Sequence, residues 1–307
     1  MAAAIALAAG PASAHFDRVA LTFDDLPAAT VIASQAYVTR TNELLLKGLE
    51  RHHLPAIGFV NEGKINELNR AKQIEVLKMW LDAGMSLGNH TYSHESANAI
   101  TANQFIRDVA RGAEITAPLL SERGRHLRWF RYPYLETGFP LKRKEAIKKW
   151  LIRSGYRIAP VTMENSDWLF SGPYDHAVMQ RDKRQRLHIK TAYLSYTKRM
   201  VAWYRRAGVA LFGRNIPYVM QLHVSRLNAD CIDELARLLR HQGLRAVTLD
   251  SATRDPAYRT ADTYVGPDGI EWLERWSLTL HRELPWDDFE EPPAFIQAAS
   301  KREHDDR

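Results

Sequence analysis

Seven short apolar runs, most of them separated by a helix-forming stretch, fill the first 250 positions of this chain. Strands are expected at 18–23, 56–60, 85–88, 127–130, 156–162, 218–224 and 245–249. Helices are expected at 35–52, 72–83, 103–122, 142–154, much of 175–212, and 229–242. In the second of these, Ile74, Leu77 and Leu81 recur at three- and four-residue steps, the period of an amphipathic helix. Gly84, Gly155 and Gly243 each stand just past a helix, where a left-handed cap is cheapest. Strands joined by crossover helices pair in parallel. The pattern therefore predicts an α/β fold with one large core. A length of 307 residues leaves room for two domains, yet also suits a single α/β barrel.

Periodicity alone does not separate an open sheet from a closed barrel. The residues able to do chemistry help, because they gather where apolar runs end. Residues from so many strands converge more easily in a barrel mouth than at one switch point of an open sheet. Asp24 and Asp25 close the first run. A regular strand would send them to opposite faces, whereas a bend could turn both into one site; a turn or a helix cap would also use such a pair. His90 and His94 follow the third run, and on a helix their four-residue spacing would put both imidazoles on one face. With twelve histidines in the chain, that spacing is also within reach of chance. Together, Asp25, His90 and His94 make a two-His, one-carboxylate set, the composition of catalytic metal sites that keep a position open. Arg131 ends the fourth run; if buried it needs a carboxylate, and Asp24 is the candidate. His223 ends the sixth, where a lone histidine could equally be a satisfied core residue.

Taken in order, Thr22–Asp25, His90–His94, Arg131–Tyr134, Asp167-Trp168 and Leu222-His223 resemble the five motifs of the polysaccharide deacetylases, carbohydrate esterase family 4, the NodB-homology group. The resemblance covers about residues 18 to 250 and implies a distorted (β/α)7 barrel, in keeping with the seven runs. It implies that Asp25, His90 and His94 bind a divalent metal, usually zinc. It makes Asp24 the general base and His223 the general acid, with Arg131 holding Asp24 and Asp167 pairing with His223. The Tyr134 N–H would help stabilise the oxyanion, and Trp168 and Leu222 would line the slot for the acetyl methyl. The implied reaction removes N-acetyl groups from aminosugar polymers or oligomers, in peptidoglycan or a chitin-like glycan. This chain departs from the usual family pattern at Leu26, Tyr132 and Leu135; the last stands where glycine is common, so the turn carrying Tyr134 is expected to differ in shape.

Other readings share these residues. An O-acetyl polysaccharide esterase would use the same machinery. A metal-free amidase for small cyclic nitrogen compounds would not need Asp25, His90 and His94. A non-catalytic envelope glycan-binding protein would not need Asp24, Arg131, Asp167 and His223. The net charge of +6 is dispersed, with its densest part at 180–206, and no aromatic-interleaved motif accompanies it; nucleic acid is not an expected partner. Cys231, the single cysteine, excludes an intrachain disulfide and reads as a small buried hydrophobe. His52 and His53 read as surface residues. Residues 1–14 read as a secretory signal ending in Pro11-Ala12-Ser13-Ala14, too short to span a bilayer, so that the mature chain begins near His15 and is periplasmic or secreted. No Lys or Arg precedes that run, which leaves room for an upstream start. Residues 15–250 are assigned to the barrel. Residues 251–307 are assigned to an appendage packed on it and rich in tryptophan, with the last dozen positions expected to be mobile.

Overall fold

The computed structural model describes residues 16–305. The signal expected at 1–14 lies outside the described residues. Seven parallel strands alternate with helices: β1 (Asp17–Leu26), α1 (Gln35–Arg51), β2 (Ala56–Val60), α2 (Arg70–Asp82), β3 (Ser86–Asn89), α3 (Ala102–Arg111), α4 (Thr116–Ser121), β4 (Trp129–Phe130), α5 (Leu141–Arg153), β5 (Arg157–Ile158), α6 (Asp167–Met179), α7 (Lys183–Phe212), β6 (Tyr218–His223), α8 (Arg226–His241) and β7 (Leu244–Ala246). The appendage follows as α9 (Leu249–Ala252), α10 (Trp272–Leu280) and α11 (Ala294–Asp305), the last occupying the tail expected to be mobile and burying Ile296 completely. Among the described residues no helix is long and apolar enough to cross a membrane.

The sheet runs β5-β4-β3-β2-β1-β6, and β7 pairs only with the first residues of β1. It curls until the segment after β5 meets β6, where Met163 bridges Met220. Thr162 and Met163 donate backbone N–H bonds to the Val219 carbonyl at 3.0 and 3.1 Å, and Gln221 N–H bonds to Met163 at 2.9 Å. The result is a distorted (β/α)7 barrel.

Alternation along the strands sorts the side chains. Val19, Leu21 and Phe23 of β1, with Met220 and Leu222 of β6, face outward into the apolar layer beneath the helices. Ala20, Ile57, Phe59, Trp129, Ala159 and Val219 form the apolar floor inside. Continuing those inward positions toward the C-terminal strand ends gives Thr22 and Asp24, His90, Arg131, Gln221 and His223. Burying apolar groups at one end of the interior thus presents polar ones at the other.

Two expected helices are divided. The stretch 103–122 breaks into α3 and α4 because the chain needs Gly112 there: a Cβ on it would lie 2.5 Å from the Thr91 carbonyl carbon. Glu62 then accepts the Ile115 and Thr116 N–H groups at the start of α4. The stretch 175–212 is shared between the end of α6 and α7, which Arg181, in the left-handed region at φ 57°, separates. Asp182 caps α7 by accepting from Gln185 N–H at 2.9 Å.

Candidate active site

Asp24 and Asp25 reach one site because the end of β1 is irregular. Its register with β2 shifts between Phe23 and Leu26, and Asp25 sits at φ 66°. A regular strand would separate the two side chains. Residues 90–94 are not helical, contrary to the arrangement that would put both imidazoles on one helix face. They form a loop with Thr91 at φ 69° and His94 at φ 60°. The end of α3 holds this loop: Asp108 accepts the Ser93 N–H through its carboxylate and the Tyr92 N–H through its backbone carbonyl. Of nine non-glycine residues with positive φ among the described ones, six (Asp25, Thr91, His94, Tyr134, Leu135 and Ser166) lie at or beside this mouth. Strain of this kind persists where surrounding contacts over-determine it.

The ligand atoms of Asp25, His90 and His94 all lie within 4.8 Å of one another. His90 Nδ1 donates to the Arg131 carbonyl at 2.9 Å, which fixes the tautomer and leaves Nε2 bare. Burial pushes both imidazoles down, His94 to about 4, so each is neutral and able to ligate. Burial would raise the Asp25 carboxyl, but the positive charges nearby, Lys64 first and protonated His223 among them, outweigh it and hold it well below the usual carboxylate range. Lys64 Nζ lies 3.3 Å from Asp25 Oδ2. Asp25 Oδ1, by contrast, is buried without a hydrogen-bond partner, 3.8 Å from His90 Nε2 and 3.4 Å from His94 Nε2. An orphaned carboxylate oxygen facing two neutral imidazoles through their Nε2 atoms fits a divalent cation, and the N₂O donor set suits zinc.

Two acid–base groups stand beside this triad. Asp24, fully buried, meets Arg131 Nη1 through Oδ2 at 3.1 Å and Oδ1 at 3.4 Å. Arg131 is itself fully buried, anchored by the Ala159 carbonyl and Thr22 Oγ1, and lies 4.8 Å from the centre of the Phe59 ring. On the neighbouring strand, in register with Asp24, His223 Nδ1 lies 2.8 Å from Asp167 Oδ1, and its N–H donates to Oδ2 at 2.7 Å. Burial alone would depress this imidazole; the charge and hydrogen bond of Asp167, with Asp25 and Asp24 behind, push it up to about 9. The mouth therefore holds two neutral histidines and a protonated one side by side.

Three further residues complete it. Gln221 donates to Asp24 Oδ2 at 2.6 Å, and strand alternation two places before His223 marks it in the sequence. Asn228 donates to Asp167 and to the His223 carbonyl, while Lys64 comes from the turn after β2. Neither carries a sequence signal of its own. Trp168 is about half exposed. Leu222, expected to line the acetyl slot, is fully buried on the face of β6 opposite His223. Tyr134 is exposed, its ring edge-on to His94 with centroids 4.7 Å apart. Leu135 does adopt the left-handed conformation usual for glycine, at φ 57°.

The sequence pattern of the polysaccharide deacetylases matches residues 12–155. That stretch, a little under half of the chain, carries the sequence signature of the polysaccharide deacetylases. Solved structures extend the likeness past residue 155. A polysaccharide deacetylase from Bacillus cereus superposes with a TM-score of 0.52 at 18% identity, over 76% of this chain and 91% of its own. A family 4 carbohydrate esterase from Streptomyces lividans, solved with acetate, gives 0.50 at 19% identity, over 77% and 95%. A family 4 pseudoenzyme from Bacillus anthracis gives 0.53 at 14%, over 78% and 66%. At these identities the likeness establishes the deacetylase fold. No curated protein sequence matches the chain.

Proposed function

We propose that this chain is a metal-dependent deacetylase that hydrolyses N-acetyl groups of aminosugar polymers or oligomers, peptidoglycan or chitin-like. The observation that carries the reading is the orphaned, buried Asp25 Oδ1 facing the Nε2 atoms of two neutral histidines, with Asp24 and His223 beside it. Asp25, His90 and His94 would hold the ion. When bound, a divalent ion such as zinc polarises the acetyl carbonyl and makes water more acidic.

The chain's own groups do the rest. Asp24 takes the proton of the attacking water; Arg131 and Gln221 occupy Oδ2 most closely, leaving Oδ1 with one long bond of 3.4 Å. The Tyr134 N–H donates to the carbonyl oxygen as negative charge develops on it. An amine leaves poorly unless protonated. His223, its Nδ1 committed to Asp167, hands a proton from Nε2 to the departing nitrogen. Exposed Trp168 offers a face to the substrate. The same reading places the enzyme outside the cytoplasm, as a periplasmic or secreted protein whose partner is an acetylated glycan.

The test is acetate release from N-acetylglucosamine oligomers and from peptidoglycan. Protein stripped with chelator is re-supplied with zinc, and Asp24→Asn serves as the control. Zinc-restored release that the variant lacks is the expected result. Release only from O-acetylated glycans would make the chain an esterase. Absence of both metal binding and release would leave a glycan-binding protein.

A further inference from the structure

The turn that carries Tyr134 contains two successive non-glycine residues in the left-handed region, Tyr134 at φ 55° and Leu135 at φ 57°. Each costs about 1–2 kcal/mol, so something must hold them. The strands of the barrel do not. The long-range contacts to their backbone carbonyls come from the C-terminal appendage.

Arg275, fully buried at the start of α10, donates from Nη2 to the Leu135 carbonyl at 2.7 Å and from Nη1 to Thr137 Oγ1 at 3.1 Å. Its Nε is spent on the Ile270 carbonyl at 2.8 Å, and Asp262 balances its charge at 3.3 Å. The guanidinium lies 4.7 Å from the Trp272 ring centre and 5.1 Å from that of Tyr264, which fixes its plane. From the other side, Gly269 packs so closely on the turn that a Cβ there would fall 1.6 Å from the Tyr134 carbonyl oxygen. Asn98 tethers the same segment by donating to the Pro267 carbonyl at 2.6 Å. A buried guanidinium with both of its terminal nitrogens donating to one turn is costly to assemble and is poorly explained by packing alone.

We infer that Arg275 and Gly269 are positioning residues of the active site: the appendage grips the Tyr134–Leu135 turn and fixes the N–H that serves the carbonyl oxygen. The inference rests on the reaction proposed above. It makes the appendage part of the catalytic apparatus, acting through Tyr134 without touching substrate.

Gly269→Ala and Arg275→Lys test it. Gly269→Ala adds one methyl to a half-exposed loop and keeps the question open to measurement should Arg275→Lys fail to fold. Three quantities are read: kcat and KM for N-acetylglucosamine oligomers, zinc affinity by competition with a chromophoric chelator, and amide exchange of residues 133–137 by mass spectrometry. A lost oxyanion donor is worth about 10²–10³ in kcat, so a fall of at least tenfold is expected, with KM and zinc affinity within about twofold. Exchange at 133–137 should quicken about tenfold or more. Unchanged kcat in a folded Gly269→Ala protein would overturn the inference. So would a parallel loss of zinc affinity, which would route the effect through His94 beneath the Tyr134 ring. If the wild-type chain released no acetate, the reaction would fail as a reading. Faster exchange in the variants would then still support the grip, and unchanged exchange would refute it.

Discussion

Replacing Asp167 with Asn removes one charge and almost no volume, and it should change the acidity of His223 more than any other single substitution. In the native chain burial pushes this imidazole down, and Asp167 overcomes it to carry the value from 6.5 to about 9. The rise corresponds to about 3 kcal/mol favouring the protonated form. With an amide in place of the carboxylate, burial is opposed only by the more distant Asp25 and Asp24, so His223 should titrate at or below its ordinary value. Because the folded value lies above the unfolded one, the stabilisation is fully present below pH 6.5 and is lost as pH rises through about 9. Asp167→Asn should therefore destabilise the protein by up to about 3 kcal/mol near pH 6 and by much less near pH 10. The residual cost at high pH comes from the bonds of Asp167 to the His223 N–H and to Asn228. NMR titration of the His223 Cε1–H in chelator-treated protein reads the acidity directly, and urea melts at both pH values read the stability. An imidazole still titrating above about pH 8 in the variant, or equal destabilisation at both pH values, would refute the assignment of Asp167 as the cause.

Three other outcomes follow from the same geometry. His223→Ala should leave zinc affinity intact and reduce acetate release to near background; loss of the metal in that variant would make His223 a ligand. Arg131→Met leaves Asp24 buried without its cation and should cost about 3–5 kcal/mol in a urea melt, a loss under about 1 kcal/mol counting against the pair as a structural element. Lys64→Met removes a positive charge 3.3 Å from Asp25 Oδ2 and should tighten zinc binding by roughly tenfold in a chelator competition, whereas weaker binding would show that Lys64 is needed to aim Oδ1.

Much of the fold was legible because a parallel strand covered on both faces is written as a short apolar run. The runs at 56–60 and 218–224 became β2 and β6 almost residue for residue. Those at 127–130 and 156–162 kept only two paired residues each, since pairing depends on neighbours that a local pattern does not name. Asp24, Arg131, Asp167 and His223 could be placed from motif order, and the structure brings them together as pairs. The conformation of the His90–His94 loop could not, because Asp108 and Gly112 impose it from α3. Strand alternation counted back two places from His223 is enough to find Gln221. Leu135 keeps the left-handed conformation of the glycine it replaces, which its own sequence does not announce, because Arg275 and Gly269, more than a hundred residues downstream, grip the turn.

The seam between the segment after β5 and β6 has a mechanical consequence. Met163 and Met220 meet there through a single bridge, with Asp167 on one lip and His223 on the other. The ion pair that sets the acidity of His223 is therefore also a stitch across the barrel wall. Parting the lips would release the imidazole from Asp167 and make it a stronger acid, and taking up a proton would draw the lips together. Proton affinity at the mouth and the gape of the wall would then move as one coordinate, so a ligand that pries at this edge would be changing the readiness of His223 to give up its proton.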